Sequence, residues 1–199
     1  MKTLRLLLQC LLGMSTPLVA AARPPSSVPY FSQVCSRFLK PAQPSYRIEF
    51  VGASGRSSIA SGLNNAGNVS GHYLEPVREA FTYRQSKTSI LPFALGKSPA
   101  TNAINGRGQV VGYDYDSAKR TITPVTWVNG QPRLLDNFGL AHAEPRDINN
   151  SGEAVGSVGD WGDVRHFMTV IWRGTTTEIL PSYPGFTGQL ANAINAHGE

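Results

Sequence analysis

One short pattern restricts this chain more than any other feature of it. [Ile/Leu]-Asn-x-x-Gly-x-[Val/Ala]-x-Gly occurs at 63–71, 104–112 and 148–156, and in part at 194–198. Its asparagines, Asn64, Asn105, Asn149 and Asn195, lie 41, 44 and 46 residues apart. Self-similarity at such a period marks a chain built from one supersecondary unit used repeatedly. Other landmarks keep step. Tyr83, Trp127 and Trp172 follow the motif at similar depth, and Leu91, Leu135 and Leu180 come eight residues after each aromatic. Phe50 stands 14 residues before Asn64, as those leucines stand before the later asparagines, so it reads as the tail of an earlier repeat.

Each repeat reads as four short strands. In the second copy these are "TNAIN", "QVVGYDY", "TPVTWV" and "PRLLD", β-branched or alternating runs bounded by turn residues. Asn-x-x-Gly suits a type I turn between strands one and two. Asn129–Gly130, Arg173–Gly174 and the "RQS" at 84–86 are the turns between strands three and four. Gly106, Gly108 and Gly112 approximate a phosphate-binding loop, but such a loop occurs once and leads into a helix. Here Gly108 has counterparts in Gly67, Gly152 and Gly198, Gly112 has them in Gly71 and Gly156, and the motif leads into a strand. All these glycines are therefore expected to be turn residues, and no nucleotide or other cofactor is expected.

Four-stranded units with this period are the spacing of β-propeller blades. The expected fold is all-β, a partial or small β-propeller of antiparallel blades. The aromatic of strand three and the leucine of strand four would fill the space between blades. An outer-membrane barrel needs strands of ~9–11 residues, longer than these runs, and a β-solenoid repeats at a shorter period. The expected organisation is a half repeat to about residue 58, full repeats over about 59–99, 100–143 and 144–188, and a truncated copy over 189–199. The last copy stops in mid-turn, which reads as a piece of a longer array. Such an array would leave an apolar face and unpaired edges open to self-association.

The "INxxGxVVG" element resembles that of the bacterial extracellular HAF repeat family, at Leu63–Gly71, Ile104–Gly112, Ile148–Gly156 and partly at Ile194–Gly198. The resemblance covers about residues 46–199. Of the family's His-Ala-Phe signature, "EAFTY" at 79–83 keeps Ala and Phe, while the other copies have "TPVTW" and "MTVIW". It implies export and a repeat architecture, and no reaction.

Residues 1–22 agree with export. Lys2 and Arg5 precede an apolar run from Leu6 and small residues at Val19–Ala22, the layout of a secretory signal peptide. Gln9, Gly13, Ser15, Thr16 and Pro17 leave the run short of a membrane span. Residues 23–45, with five prolines, read as a linker. The expected location is periplasmic, cell-surface or extracellular. Cleavage lowers the net charge from +5 to +3, because Lys2 and Arg5 leave with the signal. Without a run of basic residues, nucleic acid is not an expected partner. Cys35 would be the one cysteine left, so no internal disulfide forms.

Up-and-down units put the 1–2 and 3–4 turns at one end and the longer 2–3 loops at the other. Divergent loops on a rigid scaffold are where function sits. These loops are "HYLEPVREA" (72–80), "YDYDSAKRTIT" (113–123) and "SVGDWGDVRHF" (157–167). Tyr73, Tyr113, Tyr115 and Trp161 would give a stacking surface for a glycan or an extracellular protein. Asp114, Asp116, Asp160 and Asp163, with Glu75 and Glu79, are the acids such a face would carry. Neither aspartate pair continues into a calcium loop, and His72, His142, His166 and His197 occupy unrelated repeat positions, so no metal site is expected. Two functions stay open: a non-catalytic binding module, and a polysaccharide hydrolase or lyase using loop-face carboxylates.

Overall fold

The computed structural model describes residues 51–162 and 164–199. The signal peptide, the linker, Cys35, Phe50 and Asp163 lie outside the described residues. The fold is all-β, with antiparallel sheets. Three four-stranded meanders follow one another: β1 (Ser58–Leu63), β2 (Val69–Tyr73), β3 (Glu79–Arg84) and β4 (Lys87–Ile90); β5 (Ser98–Ile104), β6 (Val110–Asp116), β7 (Thr121–Val128) and β8 (Gln131–Leu134); β9 (His142–Ile148), β10 (Glu153–Gly159), β11 (Met168–Arg173) and β12 (Thr176–Ile179). Within each, every strand pairs with the next. A single parallel bridge, Ile122 of β7 to His142 of β9, joins the second and third meanders.

The β6–β7 hairpin is longer than its sequence suggested. Tyr113, Asp114 and Tyr115 pair with Pro124, Thr123 and Ile122, which leaves only Ser117–Arg120 as the turn. Alternation in "YDYD" and "TIT" carries the ladder on past the motif. The first strands of the second and third units begin at Ser98 and His142, two residues before the expected starts of those repeats. Leu91, Leu135 and Leu180 fall one residue beyond β4, β8 and β12. Their N–H groups still bond strand-three carbonyls, those of Ala80, Pro124 and Thr169.

Successive meanders pack face to face. Ala80 and Leu91 of the first meet Ile104, Val110, Val125 and Trp127 of the second. Ala103 and Val111, from the opposite face of the second, meet Ile148, Ala154, Val170 and Trp172 of the third, with Leu135 alongside. Adjacent valines at 110 and 111 therefore serve two cores, as expected for a strand buried on both faces. The tryptophans also reach across polar seams: Trp127 Nε1 donates to Pro92 O at 2.8 Å and Trp172 Nε1 to Asp136 O at 2.8 Å. Each bond runs from one meander to the residue just after the preceding meander's leucine, so a buried indole is both packed and satisfied.

The motif asparagines hold the other seam. Asn105 Oδ1 accepts the N–H groups of Arg107 and Gln109, closing its turn, while Gly108 N bonds Asn105 O. Its amide then leaves the turn and donates to Asn149 O at 2.9 Å. Asn64 does the same to Asn105 O at 2.8 Å, and Asn149 to Asn195 O at 3.2 Å. One residue type thus closes each turn and ties it to the next, in one direction along the chain.

The motif glycines divide into two kinds, which corrects their reading as a single class. Gly67, Gly108, Gly152 and Gly198 have positive φ in the turns. Gly71, Gly112 and Gly156 lie within strand two of each meander, opposite a β-bulge in strand one. A Cβ on Gly112 would stand 2.0 Å from Ala100 O, and one on Gly156 2.1 Å from Glu144 O. Glycine is required there by close approach of the bulged strand, not by a turn.

Candidate binding site

The long-loop end uses its polar groups in two ways. Several of the expected site residues are structural. Tyr73 is 1% exposed; its ring packs on Phe81 and carries the Arg56 guanidinium 3.9 Å from its centroid. Arg56 also binds the carbonyls of Glu75 and Val77 and the carboxylate of Glu79, fastening the β2–β3 loop. Asp114 is likewise 1% exposed and accepts Leu95 N–H at 2.9 Å. Asp116 caps the Ser117–Arg120 turn through Ala118 and Lys119 N–H and faces Lys97 Nζ at 3.6 Å. The Lys119 N–H is the main reason that its carboxyl is held below the usual range. Asp160 accepts Ala141 N–H at 3.1 Å. Tyr73 and Asp114 thus form no surface, and the acids cap neighbouring backbone.

A different group of side chains begins at this end, at His142, and runs along β9 and the strands beside it towards the motif turns. His142, at the start of β9, meets Trp161 and Phe167 edge-on, with ring centroids 4.9 and 4.8 Å away. Its Nε2 lies 3.6 Å from Glu144 Oε2. Glu144 Oε2 is 3.1 Å from the Arg146 guanidinium, and its Oε1 accepts the Asn102 amide at 3.1 Å. Tyr113, expected on this face, belongs to the same cluster. Its hydroxyl bonds Arg78 and feels Glu144 and Arg146. Burial first, then Glu144, pushes the phenol up, with Arg78 and Arg146 pulling against them. Tyr113 is therefore a neutral hydrogen-bonding group near pH 7. Burial also lowers His142, and it lowers His72, beside Arg78, in the same way. Both histidines are uncharged near neutrality, and each has a buried Nδ1 without a hydrogen-bond partner.

Trp161 is the exposed aromatic of the group, at 46%. Tyr115 is half-buried on β6. The cluster draws on all three meanders: His72 and Arg78 from the first, Asn102 and Tyr113 from the second, and His142, Glu144, Arg146 and Trp161 from the third. Arg78, Asn102, Glu144 and Arg146 were not anticipated, although the sequence carries a signal for two of them, Glu144 and Arg146. Aligned on the motif, strand one reads "SIASGL", "SPATNAI" and "QLANAI" in three copies, and "HAEPRDI" in the third. Only that copy is charged. Arg146 and Asn102 are the bulge residues opposite the close-approach glycines. Asn102 in turn donates to Pro145 O at 2.7 Å, across to the next meander.

The opposite end holds a depression of about 350 Å³ lined by residues of all four motif turns, among them Asn65, Gly106, Asn150 and Ala196. Among the described residues, no group of three or more His, Cys, Asp or Glu side chains is placed to hold a metal ion, and no helix is long and apolar enough to cross a membrane. No protein-family model matches the chain, and no curated protein matches it.

Proposed function

We propose that the chain is an exported, non-catalytic repeat module of β-propeller type, related to HAF repeat proteins, that binds a glycan through its long-loop end. The observation that carries this reading is the exposed Trp161 standing on His142, beside the cluster that joins all three meanders. An aromatic plane next to fixed hydrogen-bonding groups suits a sugar, which offers an apolar face and a hydroxyl rim. Propeller architecture is supported by the face-to-face meanders, the inter-meander indole bonds and the four motif turns around one depression. Binding is favoured over hydrolysis because Asp114, Asp116 and Asp160 each accept backbone N–H groups and so serve the fold. Self-association through the first meander is supported, among the described residues, by Leu63, 71% exposed where its counterparts Ile104 and Ile148 are buried.

The test is a glycan array probed with the chain and with Trp161→Ala. The expected result is retention of one or more glycans by the parent and at least a tenfold loss in the variant. Hydrolysis of any retained polymer, read as new reducing ends, favours the enzyme instead. Binding that Trp161→Ala leaves unchanged rejects this surface as the site. Retention of no glycan rejects the glycan reading and leaves an extracellular protein as the partner to seek.

A further inference from the structure

We infer that the glycan is acidic, a polymer of uronic-acid type whose carboxylates are held by Arg146 and Arg78. This rests on the reading of the Trp161 surface as a glycan site and adds the chemistry of the ligand. One guanidinium, Arg146, stands 3.1 Å from the carboxylate of Glu144, and a second, Arg78, bonds the hydroxyl of Tyr113. Glu144 is already engaged by Asn102 and by one nitrogen of Arg146. Two guanidiniums against one carboxylate leave the cluster an excess of positive charge even with His72 and His142 neutral near pH 7. Arg146 is 43% exposed at its side chain, while its partner carboxylate is 12% exposed, so the cation faces outward from a buried anchor. A guanidinium fixed on one edge presents its remaining N–H groups as a fork that fits a planar carboxylate.

The placement of charge within the repeat argues the same way. Strand one of the other copies manages its bulge with uncharged side chains: Ser61 bonds Thr101 at 2.7 Å and Asn102 bonds Pro145. An arginine at that bulge position in β9 is not required by the architecture. Trp161 and Arg146 are linked through His142 and Glu144 in unbroken contact, so one ligand chain can stack on the first and pair with the second.

The experiment is isothermal titration of the full chain with a polyuronate and with the same polymer after reduction of its carboxyl groups to alcohols. The expected result is at least tenfold tighter binding of the acidic form. Arg146→Ala and Arg78→Ala should each remove most of that preference, while Trp161→Ala should weaken both polymers alike. Arg133→Ala, an exposed arginine on β8 outside the site, should change nothing. Arg146→Gln, which can keep a hydrogen bond to Glu144, repeats the test in a milder form, and circular dichroism confirms folding of each variant. Equal binding of the two polymers overturns the acidic assignment and leaves the glycan reading standing. Binding of neither overturns both. If Arg133→Ala weakens binding as much as Arg146→Ala, the preference is diffuse attraction to a basic chain, and the assigned pair of arginines is wrong.

Discussion

The two ends of the strands are opposites. At the motif end every copy repeats the same asparagine turn, and Asn64, Asn105 and Asn149 make the same bond to the turn that follows. At the long-loop end no two copies agree, and a single copy carries His142, Glu144 and Arg146. The motif end repeats because its geometry must match at each interface; a residue there answers to two turns at once. The contacts between copies at the loop end, such as Asn102 to Glu144 and the Ile122–His142 bridge, are not repeated from one interface to the next, so its chemistry can vary. In a chain of this kind, repetition identifies scaffold and departure from repetition identifies the site.

The largest effect expected from breaking the scaffold is at the close-approach glycines. Gly112→Ala would place its Cβ 2.0 Å from Ala100 O, and backbone cannot move aside as a side chain can. A loss of about 3 kcal/mol or more in urea unfolding is expected. Gly67→Ala is the contrast: its φ is +75° and its surroundings are open, so about 1 kcal/mol of left-handed strain is the whole cost. Equal losses would mean that the bulge yields and that both glycines are simply turn residues after all.

That contrast also shows what the sequence could and could not reveal. The four-stranded units, the interfacial tryptophans and the Asn-x-x-Gly turns were legible because each rests on local pattern. Gly112 was misread because a bulge on the partner strand, 10 residues away at Asn102, decides its role. Asp114 was expected on a loop because acids favour solvent, yet strand alternation carries it inward to cap Leu95. The asparagine bonds span 41 to 46 residues, so no local rule could reach them. The charged strand was visible in the sequence, but only by aligning copies and asking which one departs.

Next in size is the asparagine seam itself. Asn105→Ala would leave the N–H groups of Arg107 and Gln109 without their cap and remove the donor to Asn149 O. About 2–3 kcal/mol is expected for a buried side chain with these obligations. Asn195→Ala removes an exposed turn cap, with its amide bonded within the turn to Glu199, and should cost about 1 kcal/mol. A loss at Asn195 as large as that at Asn105 would show that turn closure, not the bond between turns, is what the motif supplies.

The loop end should show itself in pH dependence, an effect smaller than either. His142 is held below its ordinary value of 6.5, first by burial and then by Arg146, with Glu144 opposing. The folded chain therefore refuses a proton that the unfolded chain accepts. Its contribution is fully present above 6.5 and is lost as pH falls below that value. Stability should decline between about pH 7 and pH 5, and less so in His142→Gln. Parallel curves for the two proteins would place the titrating group elsewhere, His72 being the next to replace.

The smallest effect sharpens the comparison from the scaffold side, at a place where one copy departs from the usual turn chemistry. The β7–β8 hairpin turns on Asn129 and Gly130, with φ of +53° and +75°, the type I′ pair that matches strand twist. The β3–β4 hairpin uses the same backbone, with φ of +47° and +62°, but fills it with Gln85 and Ser86. Asparagine tolerates the left-handed region better than glutamine, because its short side chain can bond the local backbone. Gln85→Asn should therefore stabilise by about 0.5 kcal/mol, and Asn129→Gln should destabilise by a similar amount. Thermal melting would record shifts of about 1–2 °C in opposite directions. If both substitutions lower the melting temperature, the first meander's turn is already fitted to its own surroundings, and departures from repetition at the motif end would need the same scrutiny as those at the loops.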